Sequence, residues 1–281
     1  RIRVAMAAAM GLDWPSICHR AATAAEAALD PLKTRAERSH RVGRGEGGDT
    51  TLAIDKAAED AIVAELEATG AGLMLVTEER GEFPLAGGGE TYVVVDPIDG
   101  SLNAKRGLAP YAISIAVASG PTMGDVVFGY VRELTTGEEF TGRAGEGAYL
   151  DGEPLPPLRE DARLEVLGVE SAHPWLVAAA ADALAETLAD RLRMPGSLAI
   201  CLCYVAAGRF DAMLSLRGAR SVDVAAGQLI AREAGASIAF PDASGDPLAA
   251  TLDLQMRSRC YAGATPELLD RVLTTGSKVQ R

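Results

Sequence analysis

The pattern of apolar and polar positions predicts helices at the start of the chain. Apolar residues recur at helical spacing over 52–69, and the opposite, solvated face of this helix is expected to carry Asp55 and Glu59. An Ala-rich stretch over 12–35 predicts an earlier helix, which breaks or kinks near Pro31.

Short apolar runs bounded by glycine, proline and charged residues predict the strands. In the first half the strands are expected at 73–76, 93–95, 111–118, 125–130, 138–141 and 147–150. This order gives helices followed by a mostly antiparallel sheet. In the second half, strands at 164–169 and 210–216 alternate with helices at 175–188, 198–207, 222–233 and 266–273. The fold class is therefore α/β (α+β). The prolines at 154, 156 and 157 predict the boundary between an α+β half, 1–153, and an α/β half, 154–281.

One stretch combines a strand with unusual chemistry. A run of β-branched residues, 93–95, is followed by Asp96 and Asp99, and then by Gly100 and Ser101. Two carboxylates at one strand end are costly unless a cation lies between them. Backbone N–H groups at a helix start attract an anion, typically phosphate. The stretch therefore predicts metal ligands beside a phosphate seat.

Two further acids extend this candidate metal site. The strand over 73–76 ends next to Glu78, and Asp223 lies at a predicted helix start. All-oxygen ligands suit Mg²⁺ before Ca²⁺ or Mn²⁺, and each Mg²⁺ usually takes one or two protein carboxylates. The set with Asp96 and Asp99 thus fits two or three ions, which would clamp a phosphoryl group and activate water. Taken singly, each acid is better explained as a helix cap or a surface-turn residue than as a metal ligand.

Composition and net charge limit the classes of molecule that the protein is expected to bind. The 39 acidic and 27 basic residues give a net charge of −12, which argues against nucleic-acid binding through a broad basic face but is compatible with a phosphorylated substrate held at a metal. No apolar run is long enough for a membrane span. The four cysteines form no CxxC pair, as expected of reduced thiols in a cytoplasmic protein. Residues 1–10 are interpreted as an ordered helix or a non-native remnant rather than a signal peptide.

Four segments resemble the motifs of a known family in the same order. They are 49–55, with Asp at both ends; Thr77-Glu78-Glu79; Asp96-Pro97-Ile98-Asp99-Gly100-Ser101-Leu102-Asn103; and Val222-Asp223-Val224-Ala225-Ala226-Gly227 followed by Ile230, Glu233, Ala234 and Gly235. They are similar to the DxxTxxD, (G/S)EE, DP(I/L)DG(S/T)xN and WDxAAGxxIxxEAG motifs of the inositol monophosphatase family. The chain is identified as a member of that family.

The resemblance implies a layered αβαβα sandwich, commonly a homodimer, and a site that binds two or three Mg²⁺ ions, with Mn²⁺ as an alternative and Li⁺ or Ca²⁺ as inhibitors. The implied metal ligands are the side chains of Glu78, Asp96, Asp99 and Asp223, the carbonyl of Ile98 and, for a weaker third ion, Glu79.

The resemblance also implies catalytic roles. Gly100 and Ser101 would bind phosphate through backbone N–H groups, and Glu78 would position the attacking water. The pair of Ser101 and Asp49 would help to activate that water, with no covalent phosphoenzyme. Leu52 stands at the Thr position of the first motif.

Substrate choice is expected to depend on the second half. Leu216 stands where animal inositol monophosphatases carry a Glu that grips inositol hydroxyls. Arg217 and Arg220 resemble a feature of archaeal-type enzymes that act on fructose 1,6-bisphosphate as well as inositol phosphates. Arginine suits bidentate phosphate contact, although a surface charge pair is the alternative for these two residues. Gly196-Ser197 resembles the substrate-contacting turn of the family.

The expected function is Mg²⁺-dependent hydrolysis of a sugar or polyol phosphate. The alternatives are an adenosine 3′,5′-bisphosphate phosphatase and a catalytically inactive relative that binds a phosphorylated ligand. The loop over 33–48 is expected to order over the site when metal and substrate bind.

Overall fold

Two β-sheets and the helices around them make up the computed structural model, which describes residues 11–46, 51–243 and 246–279. The helices are α1 (Trp14–Leu29), α2 (Arg35–Arg38), α3 (Ala53–Glu67), α4 (Ser101–Arg106), α5 (Pro174–Ala179), α6 (Ala181–Glu186), α7 (Leu198–Ala206), α8 (Ser221–Glu233) and α9 (Pro266–Val279). The strands of the first sheet are β1 (Leu73–Thr77), β2 (Gly81–Leu85), β3 (Thr91–Asp99), β4 (Ala112–Ala118), β5 (Val126–Glu133), β6 (Glu139–Arg143), β7 (Gly147–Leu150) and β8 (Glu153–Pro154). The strands of the second are β9 (Val166–Glu170), β10 (Arg191–Arg193), β11 (Ala212–Ser215), β12 (Ser237–Ala239) and β13 (Tyr261–Gly263).

The first sheet has the strand order β2-β1-β3-β4-β5-β6-β7-β8 and is antiparallel except for the pair β1 and β3. In that parallel pair Thr77 is in register with Val95. An acid follows each residue of this pair, Glu78 after Thr77 and Asp96 after Val95. The register therefore places Glu78 and Asp96 side by side at the same end of the two strands.

The second sheet has the order β10-β9-β11-β13-β12, with β9, β10 and β11 parallel. Helices α7 and α8 lie between the two sheets, where their buried side chains share one core with Val94 of β3 and Met213 of β11. Val93 and Val95 point the other way, into the core that α1 and α3 form. Helices α6 and α9 cover the outer face of the second sheet. The predicted layered αβαβα sandwich is confirmed.

The continuous apolar run that precedes Asp96 follows from these layers. Because β3 has helices on both faces, every residue of Val93–Val95 is buried. The strand also continues farther than predicted, to Asp99, with a register irregularity between Asp96 and Asp99. Both carboxylates therefore belong to one bulged strand end rather than to a strand and a separate turn.

One prediction about α3 is wrong. Asp55 and Glu59 were expected on a solvated face, but both are buried. Glu59 accepts hydrogen bonds from the Thr77 hydroxyl, at 3.1 Å, and from the Glu79 N–H, at 3.0 Å. The end of β1 lies against α3, so a polar stripe of this helix faces the site instead of solvent.

The remaining differences are local. The helix predicted over 175–188 is two short helices, α5 and α6, and the short strands β2, β8 and β10 were not predicted. Between α8 and α9 the sequence predicts one strand, whereas the structure has two, β12 and β13. The predicted boundary at 153/154 remains a prediction, and α7 and α8 of the second half share a core with the first sheet. Residues 1–10 lie outside the described residues. Among the described residues, no helix combines the length and the apolar character needed to cross a bilayer.

Candidate active site

The acids of the candidate metal site meet where the two sheets face each other. Glu78 and Asp96 leave the parallel pair β1 and β3, and Asp99 ends β3. Asp223 comes from the other side, in the first turn of α8. All four are buried, and the Ile98 N–H holds Asp96 Oδ1 at 3.0 Å. The fold thus brings together the acids that were predicted as metal ligands.

The Arg220 guanidinium lies among these acids. Its Nη1 is 2.6 Å from Glu78 Oε1, and its Nη2 is 3.0 Å from Asp223 Oδ1. The Arg220 backbone N–H donates to Asp223 Oδ2 at 2.8 Å. One arginine therefore links an acid of the first sheet to an acid of α8.

Burial and mutual repulsion raise the pKa values of these acids. Burial, offset by Arg220 and reinforced by Asp223, raises the pKa of Glu78 to about 7. The pKa of Asp96 is raised well above its usual value by burial and by the charges of Glu78 and Asp99. Burial and Asp223 raise the pKa of Asp99 to about 8. The single guanidinium of Arg220 therefore offsets only part of the repulsion among these acids.

The donor set therefore fits a divalent cation. Four buried carboxylates face one guanidinium, and carboxylate oxygens are what Mg²⁺ prefers. Within the described ranges, there is no group of three or more His, Cys, Asp or Glu residues whose spacing would hold a metal ion as the side chains stand. Arg220 lies in contact with two of the four acids, Glu78 and Asp223.

The candidate phosphate seat begins at Gly100, the residue before α4. Gly100 has φ 93°, and a Cβ there would lie 3.0 Å from the carbonyl oxygen of Gly196. Only glycine combines this backbone conformation with this close approach. The strand end can therefore turn directly into α4, with the Gly100 and Ser101 backbone lining the same cavity as the acids.

The Ser101 hydroxyl contacts a carboxylate that was not predicted as its partner. Its Oγ is 3.0 Å from Asp55 Oδ1 and 2.9 Å from the Ile98 carbonyl oxygen. Asp49, the predicted partner, lies outside the described residues. Burial and the Glu78 charge raise the pKa of Asp55 to about 7, against hydrogen bonds that lower it. Asp55 was missed as a site residue, although it closes the first of the four motifs.

Glu79 lies at the edge of the same group. It accepts a hydrogen bond from the Thr51 hydroxyl, and burial raises its pKa to about 7 despite that bond. A Cβ at the neighbouring Gly45 would overlap Glu79 Oε2 unless that carboxylate moved. Segment 41–46 therefore passes directly over this carboxylate.

The turn at Gly196-Ser197 donates hydrogen bonds to buried carboxylates of the site. The Ser197 hydroxyl donates to Asp99 Oδ2 at 2.6 Å, and the Ala199 N–H donates to the same oxygen at 2.7 Å. The Gly196 N–H donates to Glu170 Oε1 at 2.9 Å. Glu170 is buried and was also missed by the sequence analysis. This turn fixes one oxygen of a candidate metal ligand.

Two adjoining cavities open from the acids. The first, about 690 Å³, holds most of the acids and the phosphate seat, and four basic side chains also line it: Arg35, Arg41, Lys105 and Arg106. The second, about 590 Å³, is lined by residues that include Glu170, His173 and Gly196. Asp99, Leu102 and Arg220 line both cavities. A substrate can therefore place its phosphate in the first cavity and the rest of the molecule in the second.

The two arginines predicted to bind substrate have different partners in the structure. Arg220 lies among the acids, whereas Arg217 Nη1 is 3.3 Å from His173 Nε2. The His173 ring stacks on the exposed Trp175, with ring centroids 4.5 Å apart. Leu216 is buried and lines neither cavity. His173 thus contacts Arg217 and also lines the second cavity, which Arg217 does not line.

Comparisons with known proteins agree with this fold. The sequence model of the inositol monophosphatase family matches residues 16–281. A fructose-1,6-bisphosphatase/inositol-1-monophosphatase of Methanothermobacter thermautotrophicus is 30% identical over 272 residues, which cover 93% of this chain and 96% of the relative. The protein of the same name from Thermococcus kodakarensis is 31% identical over 265 residues, covering 94% and 97% of the two chains. A solved inositol monophosphatase–fructose 1,6-bisphosphatase is 28% identical, with a TM-score of 0.81 over 94% of this chain and 100% of the other. The chain therefore belongs to the inositol monophosphatase family and to its class of enzymes, the phosphoric monoester hydrolases.

Proposed function

We propose that this enzyme is a Mg²⁺-dependent phosphomonoesterase of a sugar or polyol phosphate. The observation that carries the proposal is the meeting of Glu78, Asp96, Asp99 and Asp223 beside the Gly100 turn, with pKa values of three of these acids raised by burial and mutual repulsion. Such a set is stabilised by divalent cations and leaves their remaining coordination positions to water and phosphate oxygens. The bound cations would supply Lewis-acid activation of a water and of the phosphoryl group.

The protein side chains have separable tasks in this reaction. Glu78, Asp96, Asp99 and Asp223, with the Ile98 carbonyl, would hold the metals, and Glu79 would serve a weaker third ion. Glu78 also orients the attacking water. Ser101 would hold or accept the proton of that water together with a carboxylate: Asp55, which it contacts, joins Asp49, the partner that the family motif implies. The backbone N–H groups of Gly100 and Ser101 bind the phosphate oxygens.

The preferred substrate is proposed to be a sugar bisphosphate, such as fructose 1,6-bisphosphate, with inositol phosphates as second substrates. Leu216 is buried and offers no carboxylate to grip inositol hydroxyls. The basic side chains near the two cavities favour a second anionic group. Gly196 lies on the wall of the second cavity, where the body of the substrate would lie. An adenosine 3′,5′-bisphosphate and a ligand bound without turnover are the competing outcomes of the test.

A cytoplasmic homodimer that uses two or three Mg²⁺ ions completes the proposal. All four cysteines are free and buried, as in a reducing compartment. Exposed apolar side chains at Trp175, Leu192 and Met194 offer a surface for a second copy. Mn²⁺ is expected to replace Mg²⁺, and Li⁺ or Ca²⁺ to inhibit. Sedimentation at several protein concentrations tests the dimer.

The experiment is a phosphate-release assay with and without Mg²⁺ on three substrates: inositol 1-phosphate, fructose 1,6-bisphosphate and adenosine 3′,5′-bisphosphate. The proposal expects Mg²⁺-dependent release, highest with fructose 1,6-bisphosphate. Arg217→Ala should raise KM mainly for the bisphosphate sugar, and an equal loss on all substrates would argue against that contact. Tight binding of the substrates without phosphate release would instead identify a non-catalytic relative.

A further inference from the structure

The position of Arg220 has a consequence for how the enzyme takes up metal. Its guanidinium lies 2.6 Å from Glu78 Oε1 and 3.0 Å from Asp223 Oδ1, two oxygens that the proposed function gives to metal ions. A Mg²⁺ ion needs its oxygen ligands at about 2.1 Å. A guanidinium N–H and a metal cannot occupy the same lone pairs at such distances. Arg220 therefore competes with a metal ion for lone pairs of these two carboxylates.

The electrostatics of the cluster favour this arrangement while no metal is bound. Burial alone would lower the pKa of Arg220, but the charges of Asp223, Glu78 and Asp96 raise it on balance. The guanidinium therefore stays charged and offsets part of the repulsion among the acids. Its side chain is 17% exposed, so the ion pairs are only weakly screened by solvent.

The Arg220 side chain also borders the space proposed for the substrate. Arg220 directly precedes α8, and its backbone N–H donates to Asp223 Oδ2, a contact that does not involve the guanidinium. Its side chain lines both cavities, next to Leu102 and Asp99. Once its contacts to Glu78 and Asp223 are lost, the guanidinium is left beside the space where the substrate phosphate would bind. Arginine is suited to bidentate contact with phosphate oxygens.

We infer that Arg220 is the internal counter-ion of the acid cluster and exchanges with the divalent cation: it neutralises Glu78 and Asp223 in the metal-free enzyme and moves to the substrate phosphate when metal binds. The inference rests on the proposed metal site. Arg220 would thereby couple metal loading to the binding of the phosphate that is hydrolysed, which goes beyond a contact to a second phosphate.

The test compares Mn²⁺ binding, followed by electron paramagnetic resonance, in the wild type, Arg220→Gln, Arg220→Lys and Arg232→Gln. Arg232 lies at the far end of α8, so Arg232→Gln removes a charge from the same helix without touching the acids. Arg220→Gln is expected to bind Mn²⁺ about tenfold more tightly, because no ion pair has to be broken. Arg220→Lys, which retains a positive charge but not the bidentate fork, should lie between the Gln variant and the wild type. Arg232→Gln should match the wild type.

Two further readouts separate exchange from a general loss of charge. In EDTA, Arg220→Gln should unfold about 3 °C or more below the wild type, and Mn²⁺ should abolish the difference. With Mn²⁺ bound, the affinity for inorganic phosphate should fall about tenfold in Arg220→Gln, because the released guanidinium is missing.

The outcomes are distinguishable. Unchanged or weaker Mn²⁺ binding in both Arg220 variants would overturn the exchange. Tighter Mn²⁺ binding with unchanged phosphate affinity would overturn the move to the substrate phosphate. A wild-type protein that binds no Mn²⁺ and releases no phosphate would contradict the proposed function itself.

Discussion

Asp55 accepts a 3.0 Å hydrogen bond from the Ser101 hydroxyl, and this contact joins helix α3 to the start of α4. It reaches across 46 residues of sequence to the seat proposed for phosphate. The same hydroxyl lies 2.9 Å from the Ile98 carbonyl oxygen, which is proposed as a metal ligand. A proton on Ser101 can therefore be directed to the carboxylate, which leaves the hydroxyl oxygen free to accept from a water.

Replacing Asp55 by Asn should lower kcat by about a hundredfold at saturating metal, because the amide cannot take up the proton. The matched control is Asp60→Asn on the same helix, where Asp60 is exposed and pairs with Lys56 and Arg80. Steady-state kinetics with circular dichroism as a check of folding makes the comparison. An equal effect of the two substitutions would remove Asp55 from the reaction.

Replacing Gly100 by Ala should both destabilise the fold and reduce activity. The φ of 93° is strained for Ala, and the new Cβ would lie 3.0 Å from the Gly196 carbonyl oxygen. Gly107→Ala is the control, because its φ is also positive, at 69°, but a Cβ there meets nothing within 4 Å. Gly107→Ala should cost about 1 kcal/mol of unfolding free energy and Gly100→Ala about 1 kcal/mol more. Urea titrations that give the same loss for both would show that the close approach does not matter.

Ser197→Ala should weaken metal binding as well as stability. The hydroxyl orients Asp99 at 2.6 Å and accepts from the Ile200 N–H as the N-cap of α7. Loss of the cap alone should cost about 1 kcal/mol of unfolding free energy. Loss of the Asp99 contact should reduce Mn²⁺ affinity by about tenfold. Ser197→Thr retains the hydroxyl and should retain both properties; if it behaves like the Ala variant, side-chain volume rather than the hydrogen bond is responsible.

Because the Glu170 carboxyl is buried, we expect the stability of the fold to depend on pH. Burial raises the pKa of this carboxyl above its ordinary value of 4.5. Its contribution to stability is therefore present below that ordinary value and is lost as the pH rises through the folded pKa. Gln has the same shape and no charge, so the melting temperature of Glu170→Gln relative to the wild type should increase from about pH 4 to about pH 8. Glu165→Gln, an exposed position just before β9, is the control. A constant difference for Glu170→Gln across this range would contradict the assignment.

Sequence patterns predicted the parts of the site that are local in the chain. The acids at 96 and 99, the glycine at 100 and the hydroxyl at 101 share one strand end, so their association follows from a single segment. The apolar runs of β1 and β3 also predicted two strands that end in acids. Their parallel pairing, which places Glu78 beside Asp96, is a long-range contact that periodicity does not encode.

Contacts between distant elements explain what was missed. Asp55 was assigned to solvent because it breaks the apolar stripe of α3, but the end of β1 and the start of α4 lie against that side of the helix. Arg220 was expected to face a second phosphate. Its contact with Glu78 was not predicted, because the two residues are 142 positions apart and such a contact leaves no local pattern in the sequence. Glu170 gave no signal in the pattern, because a buried acid at a strand end resembles an ordinary turn residue until its backbone donors are known.

Mg²⁺-dependent phosphate release by Asp96→Asn and Asp223→Asn tests the central claim most directly. Both acids are buried in the cluster but come from opposite sides of it, β3 and α8. Each substitution should lower Mg²⁺-dependent turnover of the best substrate by about a thousandfold or more while the Asp60→Asn protein retains it. If Asp96→Asn and Asp223→Asn keep full Mg²⁺-dependent turnover, these carboxylates do not hold the catalytic metals.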